Sequence, residues 1–529
     1  MSIIINNLSY IHPDGVKLFQ NVSFAVEKGN KVNLIGNNGT GKSTLLKIIA
    51  GEIIPTGGEI VSSEDIYYVP QHFGQFDEMT VSEALRIDKK IKALQSILQG
   101  DASEENFNLL NDDWNIEERV AAAFATWNLP NVPLDQKMRT LSGGEKTKIF
   151  LSGIEIHSPS AILMDEPSNH LDRQCRKQLY NFIQSTPLAV IVVSHDRTLL
   201  NLLDTTFELT PNGIYQYGGN YEFYKVQKAE KINALVEQLN NKEKDMRKAK
   251  KIAQEAMERK ERENSHGKKR KIKENALPAL MDKLQGKAEQ STARLKETHN
   301  EKMGAIASDI GQIKSQIPPS KSLKLDFENA SLHTGKILVT AQDINFGYTS
   351  QMLWENPLNF QIKSGARFLI KGNNGKGKTT LLKLITGKLE PTQGTIKRAD
   401  FNHIFIDQEY SIIDENLTVY EQAEQYNKRN LYEHEIRLLL NRYLLPPSVW
   451  DKKCNVLSGG EKMKLVFCCV AISNNAPDMF IMDEPTNNID IEGLEMIISA
   501  LKDYKGTIIL ISHDEYFAND IGINNEIKL

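Results

Sequence analysis

Cysteine is scarce in this chain of 529 residues. The four cysteines are Cys175, Cys454, Cys468 and Cys469, and no two of them form a C-x-x-C pair. Disulfides, zinc sites and iron–sulfur clusters are therefore not expected. Cys468 and Cys469 lie in an apolar run, which predicts that they are core residues.

Long hydrophobic runs are also missing. No stretch approaches the roughly 20 apolar residues that a helix needs to cross a bilayer. The first residues, Met1–Asn7, have neither the basic segment nor the apolar length of a signal peptide. We therefore expect a cytoplasmic protein that has no membrane partner.

Length and composition indicate more than one globular domain. The chain is too long for a single hydrophobic core, and 40% of its residues are hydrophobic while 25% are charged. Two domains joined by a linker are the simplest expectation.

A charged connector is predicted over residues 226–322. Residues 231–310 hold 20 Lys and Arg against 13 Asp and Glu, a net charge of +7 in a chain of net charge −4, so the remainder carries about −11. Strong helix formers without Gly or Pro predict a long helix over Glu230–Glu263, and a second helical run extends from about Ala288 to Ile317. The two helices are expected to pack antiparallel, with the tip at about 268–291. Candidate seam positions are Leu235, Leu239, Met246, Ala249, Ala253 and Ala256 on the first helix, and Leu284, Ala288, Ser291 and Leu295 on the second.

Two interpretations of the connector are open from its composition. It is either a solvated spacer or a probe that contacts a polyanion through the basic patch His266–Lys273, because clustered Lys and Arg bind phosphate backbones. The flanking sequences decide between them.

A phosphate-binding loop follows the predicted strand Lys31–Ile35. It has the pattern G-x-x-x-x-G-K-S and leads into a helical run, as phosphate loops do. Its glycines let backbone N–H groups converge on phosphate oxygens, Lys42 reaches the β- and γ-phosphates, and the Ser43 hydroxyl can hold Mg²⁺. The expected ATP-binding residues are Gly36, Asn37, Asn38, Gly39, Thr40, Gly41, Lys42, Ser43 and Thr44.

Acidic residues close a buried strand further along the chain. The run Ala161–Asp165 predicts a parallel strand that presents carboxylates at its C-terminal end. Asp165 is expected near the metal ion, and Glu166 is expected to polarise the attacking water, a role that typically contributes ~10²–10⁴-fold. The next strand, Ala189–Val193, leads to His195, which we expect to sense the γ-phosphate.

The second half of the chain repeats these motifs in the same order, which indicates two copies of one domain, at about 1–225 and 323–529. From Gln71 to Leu141 there are 70 positions, but only 49 from Gln408 to Leu457, so the first copy carries about 21 extra residues within about 87–116. This insertion is either a tolerated surface insertion or a contact lobe. The second phosphate loop is Gly372, Asn373, Asn374, Gly375, Lys376, Gly377, Lys378, Thr379 and Thr380, and the later motifs of that copy include Gln408, Asp483, Glu484 and His513.

The segments Leu141–Glu145 and Leu457–Glu461 resemble the signature motif of ATP-binding-cassette ATPases. The resemblance implies an α/β fold: two tandem cassettes, each a RecA-like α/β core with antiparallel β and helical subdomains, joined by a long antiparallel helical hairpin. It assigns Gln71 to the Q-loop, Ser168–Asp172 to the D-loop and His195 to the switch position. The signature residues expected to bind nucleotide are Ser142, Gly143, Gly144, Ser458, Gly459 and Gly460.

In that family two cassettes pair head-to-tail, so the resemblance implies two composite ATP sites within one monomer. Each site would combine the phosphate loop of one cassette with the signature of the other, and both would hydrolyse ATP. The catalytic set would be Glu166, His195, Gln71, Glu484, His513 and Gln408. The Mg²⁺ set would be Ser43, Gln71, Asp165, Thr379, Gln408 and Asp483.

The adenine-stacking residue differs between the copies. Tyr348 fits the family position in the second cassette, whereas His12 occupies that position in the first and Tyr10 lies two residues before it. Either ring could stack. The second D-loop has Asn488 and Ile489 where the first has His170 and Leu171, so unequal turnover is expected.

Tandem cassettes with a charged helical connector resemble the ABC-F family of ribosome-associated ATPases, and Tyr217–Tyr224 is similar to the aromatic stretch that precedes the linker there. The resemblance implies binding to the ribosome in the closed ATP state, with the linker tip directed toward rRNA, the P-site tRNA and the peptidyl-transferase centre. A translation factor and an antibiotic ribosomal protection protein both remain open.

Three other classes fit less well. The ATPase subunit of an ABC transporter, the main alternative, has no use for a basic connector of this length. A ribosome-recycling ATPase of the iron–sulfur type needs a cysteine cluster. A DNA-repair or chromosome-structuring ATPase usually carries zinc fingers or longer coiled coils, so no DNA partner is expected.

Overall fold

The computed structural model describes the backbone of residues 3–62, 65–101, 103–129, 132–273, 278–317, 333, 335–348, 351–372, 375–474, 476–486 and 489–529. It describes the side chains of these residues except 261, 263–265, 267–273, 278–292, 295 and 492. The chain divides into two compact units: Met1–Glu222 with Lys321–Leu529, and Phe223–Ser320. The first unit contains both cassettes.

The first cassette alternates strands and helices. Its strands are β1 (Ile3–Ile11), β2 (Lys17–Val26), β3 (Lys31–Ile35), β4 (Gly57–Val61), β5 (Ile66–Val69), β6 (Ala161–Asp165), β7 (Ala189–Val193), β8 (Thr205–Thr210) and β9 (Gly213–Tyr217). Its helices are α1 (Lys42–Ile49), α2 (Val81–Ala84), α3 (Asp88–Leu98), α4 (Glu104–Leu110), α5 (Ile116–Thr126), α6 (Gly143–His157), α7 (Arg173–Ser185) and α8 (Arg197–Leu200). The hairpin helices α9 (Tyr221–Lys273) and α10 (Pro278–Gln316) follow.

The second cassette repeats this order. Its strands are β10 (Ile337–Asn345), β11 (Leu358–Lys363), β12 (Arg367–Lys371), β13 (Gln393–Arg398), β14 (His403–Ile406), β15 (Met479–Asp483), β16 (Thr507–Ile511) and β17 (Asn525–Lys528). Its helices are α11 (Lys378–Ile385), α12 (Val419–Gln425), α13 (Glu433–Arg442), α14 (Pro447–Trp450), α15 (Gly459–Ser473), α16 (Ile491–Asp503) and α17 (Glu515–Asp520).

Each cassette combines a mainly parallel sheet with a small antiparallel one. The strand orders of the large sheets are β5-β6-β7-β3-β8-β9 and β14-β15-β16-β12-β17, and those of the small sheets are β2-β1-β4 and β11-β10-β13. The central parallel strands are buried along their whole length, as continuous Val/Ile/Leu runs predict. The predicted α/β fold class is confirmed. The phosphate loops, acidic residues and switch histidines all follow the carboxyl ends of these strands, where parallel sheets bind ligands.

The repeat extends to strained backbone positions. Asn7 (φ 49°) in β1 and Asp343 (φ 49°) in β10 are both left-handed, and each produces a bulge in its strand. Opposite them lie Gly58 and Gly394, where a Cβ atom would come within 2.5 Å of the Asn7 carbonyl oxygen and 2.2 Å of the Asp343 carbonyl oxygen. The glycine at each bulge is therefore a steric requirement.

Helices α3 and α4 occupy the part of the first cassette where the extra residues are predicted. In the second cassette the chain passes from α12 to α13 without them. Asp113, which follows α4, accepts hydrogen bonds from Lys90 of α3 and Arg119 of α5, each at 2.8 Å. The first ion pair joins α3 to the end of α4 within the lobe, and the second attaches the lobe to α5.

The hairpin helices are longer than the sequence predicts. The first begins at Tyr221 rather than Glu230 and continues to Lys273, through the basic patch. The second begins at Pro278 rather than Ala288, since proline is favoured in the first turn of a helix, and ends at Gln316. The side chains of the basic patch after His266 lie outside the described residues. The side chains of the predicted tip, 268–291, also lie outside them.

Half-buried positions recur every three or four residues along both hairpin helices. On α9 they are Ile232, Leu235, Leu239, Lys242, Met246, Ala249, Ala253, Ala256 and Lys260, which include the predicted seam of that helix. On α10 they are His299, Met303, Ile306, Ile310 and Ile313. The predicted seam side chains Leu284, Ala288, Ser291 and Leu295 lie outside the described residues. Lys242 donates to Asp309 (2.6 Å) and Lys314 to Glu243 (3.1 Å), so the helices are antiparallel at their base.

Within the part of the chain that the structure describes, no helix combines the length and apolar character of a membrane span.

We predict that Gly58→Ala destabilises the first cassette more than Gly51→Ala does. Both substitutions place alanine at a positive φ, which costs on the order of 1 kcal/mol. A Cβ at Gly58 would also meet backbone oxygens, whereas a Cβ at Gly51 would meet no neighbouring atom within 4 Å. Thermal unfolding of the two variants measures the difference. Equal melting temperatures would contradict the steric argument.

Candidate nucleotide sites

The first phosphate loop turns sharply between β3 and α1. Gly36, Gly39 and Gly41 have φ values of 156°, 80° and 90°, and Gly41 is the N-cap of α1. The Lys42 ammonium group donates to the carbonyl oxygens of Gly36 (2.7 Å) and Asn37 (3.2 Å), so it lies inside the loop. Burial lowers the pKa of Lys42. The loop therefore presents backbone N–H groups and one buried cation, which suits a polyphosphate. Thr40 closes the turn by donating to the Asn37 carbonyl, and the half-buried Thr44 lies in α1.

The second phosphate loop has the same geometry where it is described. Gly375 and Gly377 have φ values of 78° and 81°, and Gly377 caps α11. Lys378 lies 3.2 Å from His513 Nε2, and burial lowers the pKa of Lys378. The predicted loop residues Asn373 and Asn374 lie outside the described residues.

A hydroxyl group and a carboxylate meet beside each phosphate loop. Thr379 Oγ1 donates to Asp483 Oδ2 at 3.0 Å, and Ser43 forms the matching hydrogen bond to Asp165. Burial raises the pKa of both aspartates, although the Ser43 and Thr379 hydrogen bonds oppose it. The two predicted hydroxyl–carboxylate pairs are therefore brought together.

These pairs fit Mg²⁺. Among the described residues, Asp165 Oδ1 is buried without a hydrogen-bond partner, and so are both carboxylate oxygens of Glu484. Hydroxyl and carboxylate oxygens are the hard ligands that Mg²⁺ prefers. The hydroxyl groups of Ser43 and Thr379 would bind the ion, and the carboxylates of Asp165 and Asp483 would lie next to it. Of the other two predicted ligands, Gln71 is half-buried after β5, and Gln408 borders a cleft with the signature residues Leu457 and Gly459.

Glu166 lies directly after β6 in a left-handed conformation (φ 51°), with its N–H bonded to the Val193 carbonyl (2.8 Å). Its carboxylate accepts the His195 backbone N–H at 3.2 Å, and Oε1 lies 3.3 Å from His195 Nε2. Burial, reinforced by the Asp165 charge, raises the pKa of Glu166 to about 8. Burial, with the Lys42 charge, lowers the pKa of His195 to about 3. The pair is therefore predominantly uncharged near pH 7 without nucleotide.

Glu484 repeats this arrangement after β15. Its φ is 50°, its N–H bonds to the Ile511 carbonyl at 2.9 Å, and Oε1 lies 3.4 Å from His513 Nε2. Burial raises the pKa of Glu484 to about 7, while the charges of Arg176 and Lys378 act in the opposite direction. Burial lowers the pKa of His513 to about 3. Each cassette therefore holds a desolvated glutamate in contact with the histidine of the neighbouring strand.

The signature residues begin α6 and α15. Ser142 Oγ accepts the Glu145 N–H at 3.3 Å, and Glu145 accepts the N–H and hydroxyl group of Ser142 at 2.8 and 2.7 Å. Ser458 and Glu461 form the same capping box. The acidic fifth residue of the signature therefore fixes the helix start, next to the N–H groups that begin with Gly143 and Gly144, and with Gly459 and Gly460 in the second cassette.

The D-loop of the second cassette reaches the phosphate loop of the first. Asp490 caps α16 through the Gly493 N–H (2.8 Å), and its other oxygen accepts the Asn38 N–H at 3.3 Å. In the first cassette Asp172 caps α7 in the same way, and its charge acts on the pKa of His513. The D-loop residues Asn487 and Asn488 lie outside the described residues. Asp490 therefore contacts the phosphate loop of the first cassette, and Asp172 lies near enough to His513 of the second cassette to influence its pKa.

Ion pairs also join the cassettes. Arg173 at the start of α7 contacts Glu515 at 2.5 Å, and Arg197 at the start of α8 contacts Asp520 at 2.6 Å. The Arg197 side chain is buried, so loss of Asp520 would leave an uncompensated buried charge at this contact.

The adenine-stacking candidates lie at or just beyond the carboxyl end of the central strand of each small sheet, β1 or β10. Tyr348 is 65% exposed and its hydroxyl group is 3.0 Å from Thr380 Oγ1 in α11, which leaves a ring face open beside the phosphate loop. In the first cassette the exposed His12 is held by Asp14 (3.0 Å), and the half-buried Tyr10 packs on Phe19 with ring centroids 6.4 Å apart. The strand register matches Leu8 with Ile344, which puts His12 at the position of Tyr348.

Several residues at these sites cannot be identified from sequence motifs. Tyr68 donates a hydrogen bond to Asp165 Oδ2 at 3.3 Å. Its counterpart in the second cassette is Phe405, which has no hydroxyl group to donate. The buried Arg176 donates from Nε to the Leu171 carbonyl (3.1 Å) and influences the pKa of Glu484 across the cassette boundary. The effect of Arg176 on Glu484 depends on the packing of α7 near the second cassette, which no sequence motif indicates.

Comparison with known proteins identifies the family of the chain. A family profile described as "ABC transporter" matches residues 19–169 and 355–487, just over half of the chain. The chain therefore belongs to the ATP-binding-cassette family, whose domains hydrolyse ATP. Two similar proteins are ABC transporter F family member 5 of Arabidopsis thaliana (28% identical, covering 97% of this chain and 73% of the relative) and the uncharacterized ABC transporter ATP-binding protein YfmM of Bacillus subtilis strain 168 (29%, covering 98% and 97%). Within the family, this chain is a tandem ATPase of the ABC-F type, as the resemblance implies.

Solved structures share the fold of the whole chain. The RNase-L inhibitor superimposes with a TM-score of 0.60 at 20% identity, covering 99% of this chain and 87% of the other. A complex of archaeal ribosomal stalk protein aP1 with the archaeal ribosome recycling factor aABCE1 gives 0.59 at 20% identity, with the same coverage. The predicted tandem-cassette architecture is confirmed.

We predict that removing both metal-side hydroxyl groups, by Ser43→Ala with Thr379→Val, raises the Mg²⁺ concentration for half-maximal ATPase activity about tenfold, because each site loses one hard ligand. Thr386→Val is the matched control, since the Thr386 hydroxyl bonds only to backbone carbonyls near the end of α11. Steady-state rates over a Mg²⁺ titration measure the effect. An unchanged Mg²⁺ dependence would remove these residues from the metal site.

Proposed function

We propose that this protein hydrolyses ATP at two composite sites, binds the ribosome in its ATP-bound closed state, and acts through the hairpin near the P-site tRNA and peptidyl-transferase centre. It would serve as a translation factor or as an antibiotic ribosomal protection protein. The observation that carries the first part is the hydrogen bond between Asn38 and Asp490, which joins the phosphate loop of one cassette to the D-loop of the other.

Several contacts support this pairing. Asp490 lies next to Ile489, whose methyl group is 3.9 Å from the position of a Cβ on Gly460, so the second signature lies beside the loop that reaches Asn38. His170 stands in the same relation to Gly143 and Gly144 in the first cassette. Closing the cassettes would bring each signature helix start onto the γ-phosphate bound by the other.

Hydrolysis would use the buried glutamates as bases. Glu166 or Glu484 accepts a proton from water, the water oxygen bonds to the γ-phosphorus, and the bond to the ADP oxygen breaks, which releases ADP and inorganic phosphate. His195 and His513, uncharged at neutral pH, lie against these carboxylates and orient them. Lys42 and Lys378 stabilise the charge on the transferred phosphate.

The hairpin supplies the reach and the charge for an RNA partner. Its helices contain 53 and 39 residues, so at 1.5 Å per residue they are about 80 and about 58 Å long. With its predicted basic patch, the hairpin suits contact with rRNA or tRNA phosphates. The archaeal ribosome recycling factor aABCE1 shares the tandem-cassette fold. The alternative, a transporter ATPase subunit, leaves the hairpin without a function.

We predict that Glu166→Gln together with Glu484→Gln lowers ATP turnover by at least ~10²-fold while ATP remains bound, because glutamine keeps the shape of the side chain but cannot accept the proton. Turnover and retained nucleotide are measured on the same purified protein. Glu155→Gln, a half-buried glutamate of α6 outside the nucleotide sites, is the control. Undiminished turnover would show that another group is the base.

The ribosomal role is tested by sedimenting the double glutamine variant with 70S ribosomes, with and without ATP. We expect co-sedimentation that requires ATP, weakens steeply with salt, and is lost on deletion of residues 268–291. Absence of binding by a variant that still retains ATP would reject the ribosomal role and favour the transporter alternative.

A further inference from the structure

A basic cleft opens beside the second phosphate loop, at the carboxyl ends of β12, β16 and β17. It is lined by five cationic side chains and one carboxylate: Arg173, Lys371, Lys376, Lys378, Lys528 and Glu515. His513 and Ser512 also line it, so it is continuous with the place where the γ-phosphate is expected.

The first cassette lacks this charge at the matching positions. In the second cassette Lys371 of β12 lies beside Lys528 of β17 in the sheet register. At the matching positions of the first cassette, Ile35 of β3 lies beside Glu208 of β8, so an apolar residue and an anion replace the two cations. Thr40 stands where the second loop has Lys376. Of the cationic positions compared, only the phosphate-loop lysine, Lys42 or Lys378, is present in both cassettes. The additional positive charge is therefore particular to the cleft of the second cassette.

One of the five cations comes from the other cassette. Arg173 directly follows the helix cap Asp172, and Ile491 occupies the corresponding position after Asp490. Arg173 is held over the cleft by Glu515 of α17, at 2.5 Å. The second site therefore receives a guanidinium group from its partner cassette, whereas the first receives an isoleucine.

Guanidinium and ammonium groups that converge on one cleft recognise phosphate, and arginine does so with two parallel hydrogen bonds. Glu515 and Glu526, which pairs with Lys371 at 2.5 Å, offset part of the positive charge of the cleft. A dianion that enters could draw Arg173 and Lys371 away from these exposed carboxylates at little cost, because exposed ion pairs are weak.

We propose that this cleft is an inorganic-phosphate site of the second cassette, completed by Arg173 of the first, which retains the phosphate released there while the first site releases its own without delay. The inference rests on the proposed hydrolysis at the second site. It adds an asymmetry of product release that the shared motifs do not contain.

The test is calorimetric titration of the full-length protein with inorganic phosphate in the presence of MgADP, at ionic strength fixed with chloride. We expect saturable binding that Arg173→Ile, the residue of the second cassette at that position, weakens about tenfold. Lys528→Gln should weaken it similarly from the opposite wall. Lys177→Ala, which removes an exposed charge of α7 outside the cleft, should leave it unchanged.

A second measurement separates the two sites. Phosphate should inhibit turnover of Glu166→Gln, in which only the second site is intact, at concentrations about tenfold lower than it inhibits Glu484→Gln. Equal inhibition of the two variants, or phosphate binding indifferent to both Arg173→Ile and Lys528→Gln, would overturn the proposal. The titration needs neither turnover nor ribosomes, so its failure is distinct from failure of the ribosomal role.

Discussion

The buried carboxylates at the ends of β6 and β15 are the constraint on which the rest of the structure depends. Glu166 and Glu484 are held in left-handed backbone by hydrogen bonds to the neighbouring strand, and burial makes their ionised forms costly. Burial raises the pKa of Glu166 to about 8 and that of Glu484 to about 7, so without ligand the protonated forms are favoured more than in an exposed glutamate. In the proposed reaction, a Mg²⁺ ion bound with the nucleotide would lower the cost of ionising these carboxylates, and the ionised form is the one that can act as a base.

The two cassettes share the backbone geometry of their matching motifs, while the charges of the side chains beside those motifs differ. Capping boxes at Ser142 and Ser458, glycines opposite the bulges, and left-handed glutamates recur in both copies because each satisfies a local steric or hydrogen-bond requirement. Nothing local requires the arginine at 173 or the lysine at 528. The charges beside the phosphate loops are therefore free to diverge, and they make the two sites chemically unequal.

The strand–loop–helix geometry at Lys42 and Lys378, and the strands that end at Asp165 and Asp483, were predictable because each depends on a few consecutive residues. Helix limits were less predictable: the sequence predicts a first helix that ends at Glu263 and a second that begins at about Ala288, whereas α9 continues to Lys273 and α10 begins at Pro278. Contacts between distant segments were not predictable. Arg176 acts on Glu484 only because two complete domains pack together. The residues near either of them in the sequence do not indicate this contact.

Joining the cassettes in one chain has an evolutionary consequence. In a symmetric homodimer every substitution appears twice, so a favourable arginine at one interface is copied into the other. Here Arg173 faces Glu515 while Ile491 occupies its counterpart position. Covalent linkage thus allows selection to act on one interface at a time, and a duplicated gene can give its product an intrinsic polarity.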